Sequence, residues 1–338
     1  MTVSVGVVAY NESNVINGIL EDLAKQDYPH ESIELLLVDS ASTDDTRKQL
    51  EAFADRQSEL GFKRIQVLDN PKRKQAAGWN VVIQAAKEEI LIRIDAHASI
   101  PADFVSKNVR LQETGEKITG GPRPNVVDDP TPWKETLYLA ESSMFGSSIA
   151  PYRREQGRRY VDSMFHAAYR REIFDEVGGF NEKLGRTEDN ELHYRMRQAG
   201  YRFCYDPEII SYQHVRNTFG GMMKQKYGNG YWIGRTVKVC PKCLEIYHFV
   251  PFTFILGILI TTVLCFFHFP WLAIAMWGLY WLLAVVMAVT GIVGDCRQGK
   301  RFSVSHLLLP VLFFLLHVAY GIGTLIGLCT PKDKECDR

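Results

Sequence analysis

The sequence predicts an α/β domain on a parallel sheet, followed by a three-helix transmembrane region. Three observations carry that prediction. Apolar, strand-like runs alternate with helix-like segments as far as about residue 94, the pattern of consecutive β-α-β units. Two of those runs stop at an acid, Asp39 and Asp95. Beyond Tyr247, the segments 247–269, 271–294 and 307–328 contain no Asp, Glu, Lys or Arg, and each exceeds the ~20 residues that a hydrocarbon core requires. The 338 residues hold 39 Lys+Arg and 39 Asp+Glu, a net charge of zero that argues against a nucleic-acid partner.

The elements follow in order. Residues 3–8 are an apolar strand ending at Tyr10-Asn11-Glu12, and Val15, Ile16, Ile19, Leu20 and Leu23 have helical spacing. Residues 33–38 are a second buried strand ending at Asp39. Ser42-Thr43-Asp44-Asp45 supplies N-cap chemistry for a helix through Leu50 and Phe53. A third strand over 62–68, a helix over about 75–87 and a fourth strand over 90–94 complete the run. Residues 118–122 read as a further strand and turn, 133–145 and 171–177 as helices. Thr187 is placed to cap a helix whose first turn holds Glu188 and Asp189, and short strands over 201–205 and 208–212 lead to His214.

The stretch Ile90-Leu-Ile-Arg-Ile-Asp-Ala-His97 carries the most chemistry. In open α/β sheets, ligands gather outside the carboxyl ends of the strands. Asp95 and His97, two residues apart there, point the same way and can share a cation; a polar turn also accounts for them. No Gly-x-Gly-x-x-Gly and no Walker loop is present, so a metal is the natural partner of a pyrophosphate. Glu188 and Asp189 are fully explained by the helix dipole; a catalytic role requires Asp189 to face Asp95. Four arginines in residues 153–159 are either a solvated loop or a clamp on an anion.

No charged leader or cleavage site precedes the first strand. The cysteines are odd in number, seven, and scattered, which argues against a secreted disulfide framework. Cys240-Pro-Lys-Cys243 has the spacing of half a zinc site without a second half nearby, so unpaired thiols are expected.

Taken together, the pieces resemble the family 2 glycosyltransferases of the GT-A fold, the Rossmann-like nucleotide-diphospho-sugar transferases. The matching residues are Ala9-Tyr-Asn-Glu12, Val38-Asp-Ser-Ala-Ser-Thr-Asp-Asp45, Asn80, Ile94-Asp-Ala-His97, Gly178-Gly-Phe-Asn-Glu182, and Glu188-Asp189 followed by Leu192 and Arg195. Arg93 before Asp95, Val161-Asp-Ser163 before Tyr169-Arg170-Arg171, and Gln225-Lys-Tyr-Gly228 before Tyr231-Trp232 are similar to membrane-bound bacterial enzymes of the succinoglycan ExoA type. The resemblance implies that Tyr10, Glu12 and Asp39 hold the nucleoside, usually uridine, with Lys72 or Lys74 near the base or phosphates. Asp95 and His97 take the Asp-x-Asp place and bind Mn or Mg, and His214 completes the metal site. Asp189 is the catalytic base, with Glu188 the second choice. His97 replaces the usual second aspartate, and its softer imidazole tilts the choice toward Mn. The Gln-x-x-Arg-Trp motif of processive synthases is absent.

What this implies is an inverting, metal-dependent transfer from a nucleotide sugar to a polyprenyl-linked saccharide, in cell-surface polysaccharide biosynthesis. A cation offsets charge on the departing diphosphate while a carboxylate takes the proton of the attacking hydroxyl, a contribution of typically ~10²–10⁴-fold. The alternatives are transfer to bare polyprenyl phosphate, a transporter with a cytosolic nucleotide-binding domain, and a binding module with a dead site. The expected organisation is a catalytic domain over 1–215, an amphipathic segment on the membrane lipid over 216–246, three spans over 247–329 and a polar tail over 330–338. Arg297, Lys300 and Arg301 between the second and third spans put that loop and the catalytic domain in the cytoplasm of a multi-pass plasma-membrane protein.

Overall fold

Strands with unbroken apolar runs are buried on both faces, and crossover helices on those faces are what allow them to pair in parallel. A computed structural model describes residues 1–146, 157–214, 218–297 and 299–331. The chain forms two units, Met1–Val126 with Pro151–His214, and Val127–Ala150 with Val215–Arg338.

In the first unit the order is β1 (Val3–Ala9), α1 (Ile16–Ala24), β2 (Ile33–Asp39), α2 (Thr46–Ala54), the short α3 (Gln57–Leu60), β3 (Arg64–Asp69), α4 (Gln75–Ala85) and β4 (Ile90–Asp95). Strands β3, β2, β1 and β4 lie side by side in parallel. Apolar residues of α1, α2 and α5 (Phe104–Glu113) cover one face. Those of α4, α7 (Glu172–Val177) and α8 (Glu188–Gln198) cover the other. A β-carbon at Gly6 would overlap Val82, so the absent side chain lets α4 lie directly on β1.

The second half of the sheet is mixed. β9 (Ala168–Arg170) is antiparallel to both β4 and β6 (Ile118–Gly120); β10 (Phe203–Tyr205) is parallel to β6 and antiparallel to β8 (Arg159–Val161). A separate sheet joins β5 (Ala98–Ser99), β11 (Tyr212–His214) and β7 (Asn125–Val126). The strand expected over 208–212 therefore begins only at Tyr212. Asp206 turns the chain first, its carboxylate accepting from the Glu208 amide at 3.0 Å and its carbonyl from the Ile209 amide at 3.1 Å.

The second unit holds α6 (Pro132–Ser142), α9 (Phe219–Thr236), α10 (Val250–Phe266), α11 (Pro270–Arg297) and α12 (Leu309–Cys329). Three stretches, Ile246–Phe266, Pro270–Arg297 and Val304–Cys329, are long and apolar enough to cross a membrane. Leu137, Leu139 and Ala140 of α6 are buried in one apolar cluster with Tyr280 of α11 and Leu312 and Phe313 of α12. That packing is why 127–150 groups with the C-terminal helices and not with the contiguous 1–215 domain the sequence suggested.

Helix α9, expected on the membrane surface, runs parallel to α12 and packs along it. β-carbons at Gly230 and Gly234 would overlap the carbonyls of Tyr320 and Thr324, and β-carbons at Gly323 and Gly327 those of Tyr227 and Tyr231. Small residues four apart on both helices let the backbones touch. Lys226, 5% exposed, pairs with Glu141 at 3.1 Å.

Candidate active site

Register sets the site. Ala9 of β1 pairs with Asp39 of β2, and Val8 pairs with Asp95 of β4. Asp39, Tyr10 and Asp95 therefore share the carboxyl edge of the parallel strands. Asp39 and Asp95 lie two strand spacings apart, roughly 10 Å.

The loops after β1 and β2 are stapled to each other. Asn11, in the left-handed region at φ 53°, accepts the Thr43 amide on its side-chain oxygen at 2.7 Å, and its own amide donates to Ser42 Oγ at 3.0 Å. The Glu12 amide donates to Thr46 Oγ1 at 2.8 Å and the Ser13 amide to Asp44 at 3.1 Å. Asp39 is buried and accepts from the Ser42 amide, whereas the Tyr10 ring is exposed. Glu12 turns to His97, whose Nδ1 is 3.3 Å from Glu12 Oε1; that carboxylate raises the His97 pKa.

Asp95 sits in a cationic setting. Arg93, buried on β4, stacks over Trp79 at 4.6 Å and Phe180 at 5.3 Å. Its guanidinium pairs with Asp189 Oδ1 and reaches Asp95 Oδ1 at 3.8 Å. On the other side, His166 Nε2 and Arg123 Nη1 lie 3.2 and 3.5 Å from Asp95 Oδ2. Burial alone would raise the pKa of Asp95, but His166 and Arg93 outweigh it and hold the carboxyl well below the usual range. One guanidinium thus joins the strand-end acid to the first turn of α8.

Helix α8 brings its acids to that guanidinium. Thr187 occupies its N-cap position, but its side chain makes no capping bond, contrary to the expectation from sequence. Glu188 is almost fully buried, and among the described residues its Oε2 has no hydrogen-bond partner. Burial, and then the neighbouring Asp189, push Glu188 up to about 7. His193 fixes the helix from below, with Nδ1 2.8 Å from Ser163 Oγ and Nε2 2.8 Å from the Tyr169 hydroxyl. Burial lowers it to about 4, so the imidazole is neutral.

Asn80 of α4 clamps the Gly178-Gly179-Phe180 turn. Its oxygen accepts from the Phe180 amide at 2.7 Å and its nitrogen donates to the Phe180 carbonyl at 2.9 Å. Gly178 lies at φ 80°, and a β-carbon on Gly179 would overlap Asn80. Lys72 is exposed and pairs with Glu182 at 2.7 Å; Lys74 holds the N-cap position of α4.

The structure thus brings Asp95, Asp189 and Glu188 around Arg93, and His97 onto Glu12. Asp95, His97 and His214 do not form a ready three-ligand cage: among the described residues no three His, Cys, Asp or Glu side chains do. His214 lies on β11, which pairs with β5, and its Nε2 is 3.2 Å from Ser99 Oγ. Arg158 makes two bonds to Asp206, at 2.9 and 2.7 Å, while Arg153 and Arg154 lie outside the described residues. Sequence reasoning gave no role to His166 or Arg123. The one signal for His166 was a lone imidazole in the apolar run Met164-Phe165-His166-Ala167-Ala168, a pattern that a buried structural histidine also produces.

Comparison with known proteins agrees with this architecture. The pattern described as glycosyl transferase family 2 matches residues 4–178. The chain is 24% identical over 335 residues to a dolichyl N-acetyl-alpha-D-glucosaminyl phosphate 3-beta-D-2,3-diacetamido-2,3-dideoxy-beta-D-glucuronosyltransferase of Methanococcus voltae, covering 96% of this chain and 97% of that one. It is 29% identical over 226 residues to the succinoglycan biosynthesis protein ExoA of Rhizobium meliloti, 65% of each chain. A solved mannosyltransferase from Pyrobaculum calidifontis, in complex with GDP-Man and Mn2+, superposes with a TM-score of 0.59 at 19% identity, covering 96% of this chain and 86% of that one.

Proposed function

The chain belongs to glycosyl transferase family 2, and from that premise we propose that it moves a sugar from a nucleoside-diphosphate sugar, with UDP as the expected nucleotide, to a lipid-linked saccharide at a membrane. The observation that carries the reading is Arg93, which joins Asp95 on the donor-side strand end to Asp189 on α8. The names of the archaeal and bacterial relatives, one acting on a dolichyl-phosphate sugar and one in succinoglycan synthesis, support the lipid-linked acceptor. So do three helices long and apolar enough to cross a membrane. We place the catalytic unit on the cytoplasmic side of the plasma membrane, because Lys300 and Arg301 lie between the second and third helices.

The donor set fits a divalent cation. Asp95 Oδ1 is buried with no hydrogen-bond partner among the described residues. Glu12 faces His97 Nδ1, the arrangement that leaves Nε2 for a metal. Asp95 and His97 would hold the ion, and diphosphate oxygens and water would complete a shell that needs only one or two protein ligands. When bound, such an ion offsets the charge growing on the departing diphosphate.

This chain's own groups supply the rest. Tyr10 and Asp39, at the sheet edge, bind the nucleoside. Asp189 takes the proton of the acceptor hydroxyl as it attacks, and a single displacement inverts the anomeric centre. Arg93 sets the distance between that base and the donor. The shift of Glu188 to about 7 favours a second reading with Glu188 as base, since a base is most effective when its pKa lies near the working pH.

The test is transfer of radiolabelled sugar from a panel of UDP- and GDP-sugars to membrane lipid extract. Asp189→Asn is expected to retain donor binding and lose ~10²–10⁴-fold in transfer, and Asp95→Asn to lose both. Full transfer by Asp189→Asn together with loss in Glu188→Gln would move the role to Glu188. No transfer by wild type from any donor would sink the reading.

A further inference from the structure

We propose that His166, itself fixed by Ser211, is the positioning residue that aims Asp95 at the cation-bound diphosphate. The inference rests on the glycosyltransferase reading and adds to it a residue with no assigned role.

The geometry is a buried chain of three side chains. Ser211 is 2% exposed, and its amide donates to the Pro122 carbonyl at 3.1 Å. Its hydroxyl lies 2.9 Å from His166 Nδ1. When that hydroxyl donates to Nδ1, the imidazole proton is on Nε2, the nitrogen 3.2 Å from Asp95 Oδ2. His166 reaches this place only with its backbone in the left-handed region, φ 48°, a conformation that persists in a non-glycine residue when its surroundings impose it.

The two oxygens of Asp95 are treated differently. Oδ2 faces His166 and Arg123, the latter stacked over Phe165 at 3.6 Å. Oδ1 is buried with no hydrogen-bond partner among the described residues, and Arg93 stands off at 3.8 Å. His166 Nε2, 3.2 Å from Oδ2, likewise makes no full hydrogen bond among the described residues. Two adjacent buried polar atoms left short of partners are rare in a folded protein and call for a missing ion or a small movement. A cation drawing on Oδ1 answers both: the carboxylate settles, and the Nε2 proton aligns on Oδ2, as site hydrogen bonds do on ligand binding. Hydroxyl, imidazole and carboxylate here have the members of a hydrolytic triad, but the buried Ser211 is closed to any substrate.

The experiment uses the full chain in detergent micelles. Mn2+ is titrated in the presence of UDP and, in parallel, GDP, with free Mn2+ read by electron paramagnetic resonance. His166→Leu is expected to weaken Mn2+ binding by ~10–100-fold, the usual effect of removing a group that orients a metal ligand. Ser211→Ala is expected to weaken it in the same direction by less, with unchanged metal-free nucleotide binding. If His166→Leu does not fold, Ser211→Ala decides. Wild-type Mn2+ affinity in the folded variants overturns the inference and leaves the glycosyltransferase reading standing. At saturating Mn2+, a Mn2+–nitrogen coupling that survives His97→Ala but is lost in His166→Leu also overturns it, because the His166 imidazole would then be a ligand. Failure of wild type to bind Mn2+ with either nucleotide overturns the inference, and the transfer assay then decides the glycosyltransferase reading.

Discussion

Replacing Arg93 with methionine keeps most of the volume and deletes the charge that Asp189 and Asp95 share. Arg93 is 7% exposed, and both carboxylates remain in the buried cluster once it is gone. Breaking a buried ion pair by removing one partner costs about 3–5 kcal/mol. Part of the stacking on Trp79 and Phe180 survives, because a thioether also packs favourably on aromatic rings. Arg93→Met is therefore expected to lose about 3–5 kcal/mol at pH 7, which lowers the midpoint by about 10 °C. The assay is thermal unfolding of the full chain in detergent. Adding Asp95→Asn and Asp189→Asn should recover part of the loss, since the two carboxylates left without Arg93 go with it, while Arg123 and His166 keep only an amide in place of Asp95. A loss below about 1 kcal/mol in the single variant, or a further drop in the triple variant, would refute the shared-charge account.

Three further outcomes follow from the same coordinates. Glu188 binds its proton more tightly folded than unfolded, so its contribution to stability is full below about 4.5 and is lost as pH rises through about 7; Glu188→Gln should gain on wild type across that window by up to about 3 kcal/mol, and parallel unfolding curves for the two proteins would contradict it. Gly230→Leu should cost about 1–3 kcal/mol or more by forcing α9 off α12, whereas Gly278→Leu, with nothing within 4 Å of its β-carbon, should leave the midpoint in place; equal midpoints would deny the backbone contact. Chelation of divalent ions should stop transfer and added Mn2+ should restore it, measured as release of nucleoside diphosphate; full turnover in chelator would exclude the cation.

β1, β2 and β4 of the parallel half were legible because each is a largely apolar run stopped by a polar signature. The membrane helices were legible for the simpler reason of length without charge. β9 was not: three residues, Ala168–Arg170, carry too little pattern to show that they enter antiparallel between β4 and β6. The sheet of β5, β11 and β7 is built from elements of two or three residues and depends on pairing across the chain. α6 was seen as a helix, but which apolar cluster it joins depends on partners far away in sequence. At the site, Asp95 stood out by position and type, whereas Asp189 drew attention only through the family resemblance. Arg93 as their common partner did not stand out, because an arginine inside an apolar strand shows neither which way it turns nor what it meets. His166 depends on a left-handed backbone that spacing does not encode.

The direct backbone contact between α9 and α12 has a mechanical consequence. With no layer of side chains to slide or compress between them, the two helices behave as a single beam. Transmembrane helices adjust their inclination to the thickness of the surrounding lipid. A lipid mixture that leans α12 is expected to lean α9 with it, carrying Lys226 along and drawing on its pairing with Glu141 of α6.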